Sequence, residues 1–463
     1  MRLPKEITIG SSIRKNGIDI FVNKRPFPIK YPQKIWEKFP KELKNVLMDN
    51  LTYSSTIFLP QMLNLRKIQY ETHRPLSETF LFKNGIYDMP ISAIADKASP
   101  EEYIKRFFNT RFLFKTNRIR TPNKVDFNKN DHPTAIVPFS FGKESLLNLA
   151  LCLELGIRPI PVLFIEPSHT YEYLHKKKLL KKIEKEFNVK VHIVENNPGL
   201  LRYGKIWNLQ TELGWGLHTT DYVLMSLPFA YAYKASMIIL GNEQGCNDFF
   251  YSKDGFLVFE AAYDQHSDWT TQQSLLGSLL LGKKVDVVSF VEPLHEIAEM
   301  NILHKKYPTI GKYQMSCFAS NKFAVNNRWC QQCTKCGYMY ALAKGVGVDT
   351  KSIGFTEDMF DKKHEKAFDF FFNFNEEEPE YGTYEELVTA FYLALKHGSK
   401  GYLLEKYKKE IFPKHKKEIK RFVRKYLSRV KEDNVPSKYR EKLIRIFDKE
   451  LSEYVSNKES RHR

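Results

Sequence analysis

The sequence predicts an α/β protein whose middle is a doubly wound parallel sheet, flanked by an α+β amino-terminal region and a helical carboxyl-terminal region. Three observations carry that expectation. Across residues 131–300, short apolar runs alternate with segments of helical periodicity, the grammar of βαβ units. Near the start of that stretch one apolar run passes directly into a loop containing Ser and Gly, and then into a helical pattern. Farther on, four of the six cysteines fall within twenty residues, a spacing that reads as a metal-binding element rather than a disulfide framework.

The elements follow in chain order. Residues 8–30 alternate polar and apolar around the turn dipeptide Asn16-Gly17, which predicts a hairpin with Ile18, Ile20 and Val22 on its buried face. This accessory region, residues 1–130, closes on the polar stretch 121–132, read as a linker. In the core, 131–300, strands are expected at 135–139, 160–165, 191–194 and 237–240. Helices are expected at 144–155, stopped by Gly156, and at 171–187 and 221–235. The cysteine segment occupies 301–350. In the basic region 351–463, helices are expected at 384–396, 406–430 and 437–455, punctuated by Pro413 and Pro436.

With 42% hydrophobic and 27% charged residues, the 463-residue chain has enough apolar material for a core, which excludes disordered and fibrous classes. Residues 1–17 hold no apolar run of signal length, and the apolar stretch 222–240 is broken by Pro228 and Lys234. Neither a cleaved export signal nor a membrane span is therefore expected. Together with close CxxC spacing, this leads to the expectation of a reducing compartment, with the cytoplasm as the default location. The net charge of +18 is concentrated: residues 396–463 carry 22 Lys or Arg against 10 Asp or Glu. Such a block is either an RNA footprint or the solvated face of Lys-rich helices.

The segment richest in chemistry is Ala135-Ile-Val-Pro-Phe-Ser140-Phe141-Gly142-Lys143-Glu144-Ser145. Backbone N–H groups at the helix start, the Ser140 and Ser145 hydroxyls and the Lys143 ammonium are expected to converge on an anion. A kinase-type phosphate loop would need Gly where Val137 stands and Ser or Thr where Glu144 stands, and no dinucleotide fingerprint is present. Glu166 follows the second core strand, where a carboxylate can reach ribose hydroxyls, and Gly241-Asn242-Glu243 ends a later one. Ligands bind off the carboxyl ends of parallel strands, so these segments are expected to share one crevice.

The loop resembles the SGGxDS loop of the PP-loop ATP pyrophosphatase superfamily. Ser140, Gly142, Lys143 and Ser145 match; Phe141 replaces the first Gly and Glu144 replaces the Asp. The resemblance implies a Rossmann-like core that binds ATP through Ser140 to Ser145, Glu166 and Gly241 to Glu243. Lys143, Glu144 and Ser145 would then serve catalysis, and Glu144 would serve Mg²⁺. Because Phe resists positive φ and close backbone approach to a phosphate, the loop is expected to depart locally from the family pattern or to bind ATP less well.

Cys317, Cys330, Cys333 and Cys336 form C-x12-C-x2-C-x2-C. Four thiolates fill a tetrahedral ion completely, so the expected metal is structural zinc, with an iron–sulfur cluster as competitor. A PP-loop core followed by such cysteines resembles 7-cyano-7-deazaguanine synthase. Closer overall is the resemblance to the UDP-N-acetylmuramoyl-L-alanyl-L-glutamate epimerases, carried by Gly241-Asn-Glu243, Glu292-Pro-Leu-His-Glu296, Ser316-Cys317 and Arg328-Trp-Cys330-Gln-Gln-Cys333-Thr-Lys-Cys336 and spanning 135–347.

The resemblance implies an enzyme that adenylates a small-molecule or nucleotide-linked carboxylate, turning ATP into AMP and pyrophosphate. In an epimerase a base then takes the Cα proton; His218, His266 and His295 are candidates. Two alternatives stay open: a nucleobase- or tRNA-modifying enzyme of the deazaguanine or sulfur-inserting type, and a non-catalytic nucleotide-binding protein.

Overall fold

A computed structural model describes residues 3–125, 132–168, 170–260, 262–319, 321–374, 384–431 and 434–455. The first strands are β1 (Glu6–Arg14), β2 (Gly17–Val22), β3 (Arg25–Lys30), β4 (Lys67–Arg74) and β5 (Arg111–Ile119). Next come β6 (Thr134–Pro138), β7 (Arg158–Ile165), β8 (His192–Asn196) and β9 (Met237–Leu240). A small separate ribbon, β10 (Phe249–Tyr251) with β11 (Leu257–Phe259), precedes β12 (Asp286–Ser289). Among the described residues, ten strands make one sheet in the order β12-β9-β6-β7-β8-β3-β2-β1-β4-β5.

From β12 to β8 every pairing is parallel. The chain starts at β6, moves outward through β7 and β8, then returns to lay β9 and β12 on the other side. The direction reverses between β6 and β9, whose pairing is Ala135↔Met237 and Ile136↔Ile238. In a parallel sheet, such a reversal of strand order is where a ligand site is expected, off the carboxyl ends of the strands.

The amino-terminal hairpin pairs Ile13 with Ile18 and buries Ile18, Ile20 and Val22 as expected from the alternation. It does not form a sheet of its own. β3 joins β8 through Ile29↔Asn196 and Lys30↔Glu195, so the accessory strands prolong the core sheet. Of the expected linker, residues 126–131 lie outside the described set. The part before them is docked, with Asn123 donating to Glu42 and the Val125 N–H to the Gly282 carbonyl.

The sheet divides two apolar cores, as the alternation of buried side chains along its strands requires. Ala135 and Val137 of β6 face one core, Ile136 the other. The first core takes in the helices Lys143–Glu154, Thr170–Phe187, Glu296–Lys306 and Thr334–Gly345, and also the carboxyl-terminal helices through Leu387, Phe391, Tyr407, Phe422 and Leu443. The second holds His218–Ala232, Ser267–Leu281 and the amino-terminal helices. Helices thus cover both faces. The helix expected at 406–430 is three shorter ones, Tyr402–Glu410, Phe412–His415 and Ile419–Tyr426. Pro413 sits in the first turn of the second, where its missing N–H costs nothing, and could not have continued the helix before it. No described helix is long and apolar enough to cross a membrane.

Candidate functional site

The loop after β6 opens the helix Lys143–Glu154 with Gly142 as its cap. Phe141 adopts φ +64°, the left-handed conformation that the resemblance assigns to glycine. A non-glycine residue thus takes the positive φ that its side chain was expected to resist. The Phe141 ring is fully buried, packed edge-on against Phe139 at 4.7 Å, and its carbonyl accepts the Met315 N–H at 2.8 Å. Left-handed φ costs a non-glycine residue about 1–2 kcal/mol, an amount smaller than burial of a phenyl ring returns. Ser140 is exposed, and its hydroxyl accepts the Gly142 N–H at 3.1 Å. The Ser145 hydroxyl accepts the Ser140 N–H at 3.3 Å and donates to the Gly142 carbonyl.

Lys143 departs from the sequence expectation. Its ammonium is wholly buried and faces carboxylates instead of the open side of the loop. It pairs with Glu144, with Glu296 at 2.6 Å and with Glu299 at 3.0 Å. Burial alone would lower its pKa, but Glu144, Glu296, Glu299 and Glu243 outweigh burial and hold it well above the ordinary lysine value. Burial likewise opposes the charge on Glu144, and Lys143 more than compensates, keeping that carboxylate ionised. For Glu243 and Glu299 burial wins, aided by neighbouring carboxylates, and both stay protonated well above the usual range. Glu386, from the carboxyl-terminal helix Tyr384–Lys396, is pushed up to about 8 by burial and by Glu296. Its carboxyl accepts the Ile297 N–H at 2.7 Å, and the Tyr338 hydroxyl lies 3.2 Å from Glu386 and 3.1 Å from Glu296.

Gly241, at the end of β9, lets this strand close on the loop: a Cβ there would lie 2.6 Å from the Glu144 Cβ. Asn242 turns away and donates to Thr270 Oγ1 at 3.0 Å. Glu166 is held by a second buried group. It pairs with Arg202 at 2.6 Å and accepts from Asn196 at 3.3 Å, while Arg202 also pairs with Asp221 and donates to the Gly214 carbonyl. His218, the first residue of its helix, has Nε2 2.5 Å from the Tyr222 hydroxyl and 3.8 Å from Glu166. Burial, Arg202, Lys335 and Lys176 push its imidazole well below the usual range, so it is neutral. Glu166 directly follows β7, which pairs with β6 through Pro138↔Val162, so Glu166 and the neighbouring His218 stand off the same edge of the sheet as the loop 140–145. His266 instead caps the helix Ser267–Leu281, and His295 is buried against the Tyr426 ring.

The four cysteines come together. Their sulfur atoms all lie within 4.8 Å of one another, and Cys330 and Cys336 are 3.7 Å apart. A tetrahedral ion with bonds of about 2.3 Å needs sulfur separations of about 3.8 Å. The Ala319 and Cys330 N–H groups point at Cys317 Sγ, and Cys333 caps the helix Thr334–Gly345, whose positive end favours thiolates. The group could hold a metal ion such as zinc. Gln331 takes φ +55° within the knuckle and ties it to Thr356 and Glu357. The same helix carries Tyr338 to the carboxylates, so the cysteine element forms a wall of the site.

The structure thus gathers Ser140, Phe141, Gly142, Lys143, Glu144, Ser145, Gly241 and Glu243, and sets Glu166 in the adjoining group. Sequence reasoning missed Glu299, Tyr338, Glu386, Arg202 and Asp221. Glu296-x-x-Glu299 was a readable signal, since residues three apart share a helix face; the others come from distant segments. No protein-family model matches the chain, and no curated protein matches it.

Proposed function

We propose that the chain is an ATP-dependent enzyme that adenylates a substrate carboxylate, most like a muramoyl-dipeptide L-glutamate epimerase. The observation that carries this reading is the loop 140–145. It follows β6, beside which the strand order reverses, opens a helix, and takes left-handed φ at Phe141, where an SGGxDS loop has glycine. In this reading the helix N-terminus, Ser140 and Ser145 hold the phosphates of ATP. The substrate carboxylate attacks the α-phosphorus, pyrophosphate leaves, and an acyl-adenylate remains. Lys143 keeps Glu144 ionised beside the loop, and Glu144 would hold the Mg²⁺ that shields the triphosphate. Neutral Glu243, Glu299 and Glu386 limit the negative charge that an incoming triphosphate meets.

The test is incubation of the purified chain with Mg·ATP and UDP-N-acetylmuramoyl-L-alanyl-L-glutamate. AMP and pyrophosphate should appear in proportion to that substrate; their absence with it and with a panel of other carboxylates overturns the reading. A second reading, RNA modification, draws on the exposed cations Lys416, Lys417, Lys420, Arg421, Arg424 and Lys425. Its test is charge reversal of Lys416, Lys417 and Lys420, because deleting this region would remove the buried Tyr407, Phe422 and Leu443. Loss of RNA affinity and of its salt dependence would favour it.

A further inference from the structure

Three histidines flank the core, and geometry separates them. The His295 side chain is buried behind the carboxylate ring, with 5% of the residue exposed. His266 is spent on its helix, Nδ1 accepting the Asp268 N–H at 3.2 Å, and its side chain is 14% exposed. The His218 side chain is 31% exposed and lies between the Trp215 and Tyr222 rings, at centroid distances of 5.6 and 4.3 Å. Its Nε2 is committed to Tyr222, with Glu166 3.8 Å away, while Nδ1 has no hydrogen-bond partner among the described residues.

We infer that His218 Nδ1 is the base that takes the Cα proton of the adenylated substrate, with Tyr222 and Glu166 as its positioning residues. This rests on the adenylating reading above. Glu166 beside Nε2 favours the tautomer protonated there, donating to the Tyr222 oxygen, which leaves the Nδ1 lone pair for the substrate. The Cα–H bond breaks toward Nδ1, its electron pair passes into the enolate of the acyl-adenylate, and the imidazolium formed is stabilised by Glu166. Water delivers a proton to the opposite face, the imidazolium returns its own to solvent, and hydrolysis releases AMP and the inverted carboxylate. Each inversion therefore fixes one solvent hydrogen at Cα. Before the transfer, burial, Arg202 and the helix N-terminus disfavour the imidazolium and keep the base unprotonated.

The experiment uses the full chain in D₂O with Mg·ATP and UDP-N-acetylmuramoyl-L-alanyl-L-glutamate, reading pyrophosphate release and Cα deuteration separately. His218→Asn, with His218→Gln as a second variant should the first fail to fold, is expected to slow deuteration by on the order of a hundredfold or more. Pyrophosphate release should fall by less than about tenfold, because the loop 140–145 is untouched. Tyr222→Phe, which frees the ring but keeps the base, should lose deuteration by a smaller factor. Deuteration at the wild-type rate in a folded His218 variant overturns the assignment while leaving adenylation standing. No substrate-dependent pyrophosphate from the wild-type chain overturns both.

Discussion

Replacing Lys143 by Met keeps the length of a wholly buried side chain and removes the charge that Glu144, Glu296 and Glu299 share. Without the ammonium, burial dominates at Glu144, and the folded variant must bind a proton there that the unfolded chain does not hold. At pH 7, about 2.5 units above the ordinary glutamate value, that proton costs about 3.5 kcal/mol at about 1.4 kcal/mol per unit. This lies within the range of about 3–5 kcal/mol for breaking one side of a buried ion pair. Glu299 adds little, because burial already keeps it protonated. At pH 5 the same proton costs about 0.7 kcal/mol, so the penalty should nearly vanish. The sign is set by the raised folded-state pKa: the variant loses stability as pH rises. Urea unfolding of both proteins, followed by tryptophan fluorescence at pH 5 and pH 7, measures the two differences. An equal loss at both pH values, or a loss below about 1 kcal/mol at pH 7, would refute the assignment of Lys143 as counter-charge to the ring.

Glu386→Gln keeps an acceptor for the Ile297 N–H and removes a carboxyl raised to about 8. The folded wild type retains that proton above the ordinary glutamate value while the unfolded chain loses it. Wild-type stability should therefore fall between about pH 5 and pH 8, by at most about 5 kcal/mol, and the variant should flatten that slope in pH-dependent thermal unfolding. Phe141→Gly relieves a strain of about 1–2 kcal/mol but forfeits a buried ring worth about 3–5 kcal/mol, so a net loss of about 1–4 kcal/mol is expected in chemical denaturation; a gain would mean that the ring contributes little to the core. Cys336→Ser should abolish a stoichiometric metal content of one zinc per chain and lower the unfolding temperature, and elemental analysis of wild type and variant checks this. Zinc retained at full stoichiometry in the variant would remove Cys336 from the ligand set.

Local signals make the parallel core legible in the sequence. Residues 237–240 are the strand β9, the helix expected at 144–155 is displaced by a single residue, and the one expected at 171–187 begins one residue earlier. Their apolar periods and the flanking Gly156 are properties of adjacent residues, and local patterning places such elements. The cysteine group is equally readable, because CxxCxxC brings three thiols close on the chain itself. β12 lies in an equally local apolar run, Val285 to Val291, that the expected strands left out. Of the two breaks in the helix expected at 406–430, Pro413 accounts for the first; the second, between His415 and Ile419, follows from no residue in the local pattern.

The amino-acid order by itself determined the loop after β6, the knuckle of cysteines and the alternation that sends Ala135 and Val137 to one core and Ile136 to the other. Only the tertiary structure decided the company those groups keep. Glu299, Tyr338 and Glu386 join the group around Lys143 from segments as many as 243 residues away, and β3 reaches β8 across more than 160. Charge on a buried lysine depends on which carboxylates share its low-dielectric surroundings, and no local pattern encodes that. Lys143 therefore reads in the sequence as a hand held out to phosphate, and in the folded protein it is the cation at the centre of an acidic ring.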